Sequence, residues 1–176
     1  MDLDRTAPPH PVDILPAAPA SLEVTSEDFA DGEALPDDAG YGHGNTSPQL
    51  SWSGAPEGTK SYLLVCHDPD APVVGGFSHW AILGMPADVT SLASGAGEYG
   101  NQHGEGAYTL ANDFGTKDWG GCAPPEGDVP HRYVFTVWAL DTDDTGLDAS
   151  SSIAKAQFMT LGNVLARGSI TGTYQL

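Results

Sequence analysis

The apolar positions of the chain follow the period of β-strands over most of its length. Residues 61–68 are apolar at nearly every position, which is typical of a central strand buried on both faces. Residues 77–83 and 131–140 repeat this pattern. Shorter alternating runs indicate further strands at residues 22–26, 49–53 and 170–176.

The same two-residue alternation assigns side chains to the faces of the three long strands. It places Asp68 at the end of the first strand, on the same face as Leu64 and Cys66. In the second strand, Phe77, His79 and Ala81 are expected on one face. His131 begins the third strand, so each long strand carries a polar residue near one end.

The period changes after Asp148 to that of an amphipathic helix. The serines at 150–152 can cap the start of this helix, and Gly168 is placed to end it. Together with turns rich in Gly and Pro, this pattern predicts a mainly β fold, an antiparallel β-sandwich with one or two peripheral helices. The expected apolar stripe of the helix consists of Ala154, Phe158, Leu161 and Leu165.

Length and local composition predict one domain preceded by an arm. A chain of 176 residues with 40% hydrophobic side chains can bury one good core. Residues 1–20 are rich in Pro and Ala and are interpreted as an extended arm, and residues 21–176 as the single domain. The arm lacks the basic start and apolar run of a signal peptide or membrane anchor, so we expect a cytoplasmic location.

The strong acidic excess limits the classes of partner. Twenty-four acidic residues against six basic ones give a formal net charge of −18, which disfavours nucleic acid and anionic membrane surfaces. The carboxylates are scattered among apolar residues, which indicates a solvated acidic shell and not a disordered tail. We therefore predict a salt-loving source organism. The two cysteines, Cys66 and Cys122, are expected to be small buried hydrophobes.

The polar residues at the strand ends form a candidate anion site if the fold brings them together. Imidazoles and a tyrosine hydroxyl are donors that an oxyanion requires, and the chain offers His79, His131 and Tyr133. Asp68 would orient one imidazole and favour its charged form, so anion affinity is expected to fall as the pH rises above about 6 to 7. Taken singly, each residue has a plainer interpretation: a turn aspartate, a core histidine and a solvated histidine.

A set of ordered motifs resembles a known family. Residues 68–72 read DPDAP, residues 79–80 read HW, and residues 120–127 read GGCAPPEG and lead into HRYVF. Supporting pieces are NTSPQLSW at residues 45–52 and NDFG at residues 112–115. In this order and spacing they resemble the phosphatidylethanolamine-binding protein (PEBP) family, in its bacterial and archaeal YbhB/YbcL-like branch, also called Raf kinase inhibitor-like.

The resemblance implies a preformed pocket for phosphate-like anions or phospholipid head groups. No catalytic residue, metal ligand or cofactor is implied, and stable membrane insertion is not expected. A regulatory role resembling kinase inhibition, another protein partner and a homodimer are left open. The alternative from the residues themselves is a metal-dependent enzyme with a site of two histidines and one carboxylate. The ligand-binding residues implied by the resemblance are Asp68, His79, His131, Tyr133, Pro72, Phe77, Ala123, Pro124 and Pro125.

Overall fold

A computed structural model describes Leu3 and residues 5–176, and the predicted mainly β fold is confirmed. Three residues of the predicted arm, Met1, Asp2 and Asp4, lie outside the described residues. The helices are α1 (Pro11–Ile14) and α2 (Ile153–Thr160). The strands are β1 (Ala20–Ser21), β2 (Glu23–Thr25), β3 (Leu50–Ser53), β4 (Ser61–Asp68), β5 (Phe77–Pro86), β6 (Ser91–Leu92), β7 (Tyr108–Thr109), β8 (His131–Leu140) and β9 (Val164–Tyr174).

The strands form two sheets that enclose the main core. The larger sheet has the order β1-β9-β8-β4-β5-β7, and the smaller has the order β2-β3-β6. Strand β4 lies centrally and pairs antiparallel with β5 and β8, as its continuous apolar sequence predicts. Strands β4 and β8 begin and end at the residues that the pattern indicated.

Alternation along the central strands separates two apolar clusters. Leu64, Cys66 and Trp80 belong to the larger cluster, which also includes residues of the smaller sheet. Leu63 and Trp138 belong to the second cluster, on the side of α2. The tryptophans of the strands are buried, although the indole N–H groups of Trp52, Trp80 and Trp138 have no hydrogen-bond partner among the residues that the structure describes.

The cysteines are free and buried, as expected for small hydrophobes. Burial raises the pKa of both the Cys66 and Cys122 thiols. Both side chains therefore stay protonated near neutral pH and act as packing groups.

A β-bulge in β5 corrects the predicted faces of this strand. The register shifts between Cys66, which pairs with Trp80, and His67, which pairs with Ser78, so β5 has one additional residue at His79. Phe77 and His79 remain neighbours, with ring centroids 5.0 Å apart. The expected place of Ala81 beside them was wrong, because the bulge moves Ala81 into the cluster on the opposite face.

The late helix is shorter than the sequence predicted, and its buried positions differ from the expected apolar stripe. Its Ser152 cap is present, because the Ser152 hydroxyl accepts a hydrogen bond from the Lys155 N–H at 3.2 Å. The helix ends at Thr160, however, and Phe158 is exposed. The buried positions are Ile153, Ala156 and Thr160.

Pairing with β8 explains where the helix ends. Strand β9 pairs with β8 from Val164 to Tyr174, and this long ladder outweighs the local helical period. Gly168, the expected helix stop, lies inside β9, where a Cβ atom would collide with the Leu22 carbonyl.

The arm lies against the body along the described part of residues 3–20. The Arg132 guanidinium donates to the Pro8 carbonyl at 2.8 Å, and Arg167 donates to the Pro16 carbonyl at 2.6 Å. Strand β1 then pairs in parallel with β9. Among the described residues, none of the helices has both the length and the apolar composition that a membrane crossing requires.

Candidate functional site

The predicted strand ends meet around one cavity of about 220 Å³. Asp68 closes β4, His79 occupies the bulge of β5, and His131 opens β8. Because β4 lies between β5 and β8 and runs antiparallel to both, its end lies beside the start of each neighbour. The cavity is lined by Asp68, Ala71, Pro72, Val73, Phe77, His79, Phe114, Ala123, Pro125 and His131.

Asp68 organises the turn that forms one wall of the cavity. Its Oδ1 accepts hydrogen bonds from the N–H groups of Asp70 at 2.7 Å and Ala71 at 3.0 Å. Its Oδ2 lies 2.8 Å from Nδ1 of His131. This carboxylate is 2% exposed, so removing its partners would leave a buried charge.

Both ring nitrogens of His131 are engaged within the protein. Nδ1 faces Asp68, and Nε2 lies 3.2 Å from Oδ2 of Asp128. Burial opposes charge on this ring, but the hydrogen bonds and charge of Asp68 and Asp128 outweigh it and raise the pKa of His131 above its usual 6.5. His131 therefore offers no free N–H to the cavity, and its ring carries a positive charge below its raised pKa.

His79 has the opposite environment. Its Nδ1 donates to the Gly120 carbonyl, and its ring contacts those of Phe77 and Tyr133 at centroid distances of 5.0 Å. Burial lowers the pKa of His79 below 6.5, despite the Gly120 hydrogen bond and the Asp68 charge. Near neutral pH the ring is uncharged, and its Nε2 becomes a donor only after protonation.

The loop with two consecutive glycines holds His79 through close backbone packing. A Cβ atom at Gly120 would approach the Phe114 ring to 2.6 Å, and one at Gly121 would approach the Tyr41 N–H nitrogen to 2.6 Å. Asn45 clamps this loop, because its Oδ1 accepts from the Gly121 N–H at 2.7 Å. The NTSPQLSW motif thus contributes to the site through backbone positioning.

Tyr133 and Pro124, which the resemblance implies as ligand-binding residues, are not among the residues that line the cavity. Tyr133 is buried, and its hydroxyl accepts a hydrogen bond from the Ala123 N–H at 3.2 Å. Burial also raises the pKa of Tyr133, so the phenol stays neutral. The Ala123 N–H is consequently occupied, although its side chain lines the cavity, and Pro124 is not among the lining residues.

Sequence reasoning missed three kinds of residue at the site. Phe114 and Val73 line the cavity mouth and were not selected as ligand-binding residues. Asp128 lies between the GGCAPPEG and HRYVF motifs, three residues before its partner His131. Arg5, whose Nη2 lies 3.1 Å from Nε2 of His131, comes from the arm and had no local signal.

A cluster of aromatic rings lies at one side of the cavity. We define the aromatic rim as Tyr41, Phe77 and Phe114. Phe114 packs against Phe77 at 4.6 Å and stacks on Tyr41 at 5.0 Å between ring centroids. Val73, which lines the cavity, and its neighbour in sequence Val74 are also exposed, which is unusual on so acidic a surface.

The geometry gives no support to a metal-dependent enzyme. In the part of the chain that the structure describes, no group of three His, Cys, Asp or Glu side chains is arranged to hold a metal ion. The ring nitrogens of His131 face carboxylates, and Nδ1 of His79 is bonded to a carbonyl.

The location of the chain stays a prediction. A relative from Mycobacterium tuberculosis, 34% identical over 86% of this chain and 78% of its own length, is named as a lipoprotein, LppC. That name belongs to the relative and assigns no location to this chain.

Comparison with known proteins agrees with the fold and motifs. The family model described as phosphatidylethanolamine-binding protein matches residues 25–175. The Escherichia coli proteins YbcL and YbhB are 43% and 38% identical, covering 91% and 87% of this chain and 91% and 99% of their own lengths. The crystal structure of E. coli YbcL superposes with a TM-score of 0.84 at 42% identity, over 89% of this chain and 99% of that one. By motif, fold and similarity, the chain belongs to the phosphatidylethanolamine-binding protein family.

Proposed function

We propose that the cavity binds the phosphate group of a small phosphorylated ligand, such as a phospholipid head group. The observation that carries the proposal is the placement of Asp68, His79 and His131 around one cavity of about 220 Å³. This volume is below the roughly 300–1,000 Å³ typical of pockets for drug-sized ligands, so it suits a head group and not a whole lipid.

The two histidines would divide the work of anion binding. His131, when protonated between two carboxylates, offsets the negative charge of Asp68 beside the cavity. His79 supplies the directional hydrogen bond once its Nε2 is protonated, which a bound anion favours. An entering phosphate therefore raises the pKa of His79, and its affinity increases as the pH falls.

The aromatic rim supports an ester over free phosphate. An apolar group attached to the phosphate would leave the cavity beside Phe77 and Phe114, where it can cover exposed ring surface. The net charge of −18 acts against binding to an anionic bilayer, which favours capture of single ligand molecules.

Calorimetric titration with inorganic phosphate, phosphoethanolamine and phenyl phosphate tests the proposal. We expect binding that strengthens as the pH falls from about 8 to 6 and that is strongly weakened in His79→Gln. His43→Gln is the matched control, because His43 is exposed and is not among the residues that line the cavity. Affinity that is equal in both variants, or independent of pH, would contradict the assignment.

A further inference from the structure

The arm delivers a single cation to the far side of His131. Arg5 is one of only six basic residues in the chain. Its Nη1 lies 2.8 Å from Oδ2 of Asp128, and its Nη2 contacts both the Asp70 carbonyl and Nε2 of His131. The Leu3 N–H also points to Oδ1 of Asp128 at 3.4 Å. The guanidinium therefore bridges the turn after β4 to the loop before β8.

Arg5 and Asp128 make opposite demands on the same ring nitrogen. The guanidinium only donates, so its approach at 3.1 Å is favourable when Nε2 of His131 carries a lone pair. The carboxylate only accepts, so its approach at 3.2 Å is favourable when Nε2 carries a proton. The protonation state of His131 is consequently decided by the balance of these two contacts.

We propose that Arg5 is a positioning residue of the cavity, which ties Asp128 and the Nε2 edge of His131 and so sets the pH range in which this ring is charged. The consequence for anion binding rests on the proposed function, whereas the effect of Arg5 on the protonation of His131 is independent of it.

The other charged groups around His131 do not replace this contact. Asp68, at the end of β4, faces Nδ1 and favours the charged ring. Asp70 lies close enough for its charge to be felt, but its carboxylate is bonded to the Arg132 guanidinium, with Nε and Nη2 each 2.8 Å from a carboxylate oxygen. Arg5 is therefore the cation that opposes protonation at Nε2.

An imidazole NMR titration of the full-length protein without phosphate tests the inference directly. In Arg5→Met, which keeps an apolar stem but removes charge and donors, we expect the His131 midpoint to rise by about one pH unit. In Asp128→Asn the midpoint should fall, because the acceptor is weakened. Arg5→Lys keeps the charge and should leave the midpoint close to that of the unchanged chain.

Two control variants separate this role from simpler explanations. Lys155→Met causes the same change in net charge from an exposed helical position and should leave the His131 midpoint in place. Arg167→Met removes the tether to Pro16 without touching Asp128, so it reports the effect of loosening the arm elsewhere. A midpoint unchanged in Arg5→Met, or shifted equally in Lys155→Met, would overturn the inference.

Phosphate titrations of the same variants distinguish the failure of the inference from that of the proposed function. Above the midpoint of the unchanged chain, Arg5→Met should bind inorganic phosphate up to about tenfold more tightly, since more His131 is charged. A shifted midpoint without phosphate binding in any variant would reject the proposed function and keep the role of Arg5. Phosphate binding with an unshifted His131 midpoint would keep the proposed function and reject the role of Arg5.

Discussion

The two histidines of the cavity show how one residue type acquires opposite properties in adjacent places. His79 rests on a backbone carbonyl among aromatic rings, and burial lowers its pKa. His131 is equally buried, yet it lies between Asp68 and Asp128, and its pKa is raised. Both rings are almost inaccessible to solvent, with exposures of 3% and 1%.

The difference teaches that burial alone does not decide the charge of a histidine. Desolvation disfavours the charged form of both rings, and the outcome depends on whether the partners are carboxylates or a neutral carbonyl. The cavity thereby combines a ring whose charged form is favoured by carboxylates with a neutral ring that ligand binding can protonate.

The largest effect is expected from Asp68→Ala, which removes the carboxylate that pairs with Nδ1 of His131. The substitution breaks a buried pair and deprives the turn N–H groups of Asp70 and Ala71 of their acceptor. We expect the free energy of unfolding to fall by about 3–5 kcal/mol, measured by urea denaturation. Asp113→Ala, which removes an exposed acceptor for the Ser78 N–H, serves as the control and should cost less.

Asp68→Asn sharpens the same experiment. The asparagine can still accept from the turn N–H groups, but it supplies no charge to His131. Its unfolding free energy should lie between those of the alanine variant and the unchanged chain. Equal losses in both variants would mean that the charge contributes nothing beyond the turn.

The second prediction concerns the pH dependence of stability, which should differ in sign for the two rings. The folded pKa of His131 is raised, so its contribution is complete below pH 6.5 and is lost as the pH rises through the folded pKa. The folded pKa of His79 is lowered, so stability is lost as the pH falls below 6.5 towards that value.

Urea denaturation across this pH range checks the sign for each ring. His79→Gln should flatten the loss on the acid side, whereas His131→Gln should flatten the loss on the alkaline side. Imidazole NMR of the unchanged chain should place the two midpoints on opposite sides of 6.5. Two midpoints that coincide would contradict the comparison.

The long strands were predictable from sequence, because continuous apolar runs specify central strands. Strands β4 and β8 and the motif residues at their ends are examples. The bulge at His79 was not predictable from alternation, since it depends on pairing with β4. The end of α2 at Thr160 depends likewise on the β8–β9 ladder.

The site was predictable only as far as its motifs extend. The ordered pieces brought Asp68, His79 and His131 together, but they carried no information on the ring partners. Arg5 reaches His131 across 126 positions of sequence, and no local period marks such a contact. The neutral state of His79 depends on burial, which only the packed structure reveals.

The third prediction tests whether the aromatic rim, next to His79, contacts an apolar group attached to the phosphate. Phe114 packs on Phe77 and lies 5.8 Å from the His79 ring between centroids. In Phe114→Ala we expect phenyl phosphate affinity to fall by about tenfold, equivalent to about 1.4 kcal/mol, with little change for inorganic phosphate. The exposed Phe158→Ala on α2 is the control for loss of a surface phenyl group.

The smallest effect is expected from added salt, which should act on the exposed carboxylates and much less on the buried contacts of His131. Screening should relieve repulsion among the exposed carboxylates of a chain with net charge −18, so the melting temperature should rise between dilute buffer and molar KCl. The buried contacts of His131 with Asp68 and Asp128 are screened much less, so its NMR midpoint should move little over the same range. A melting temperature that stays constant would remove the case for a salt-adapted surface, whereas a large shift of the His131 midpoint would show that solvent ions reach a ring that the packing places out of their contact.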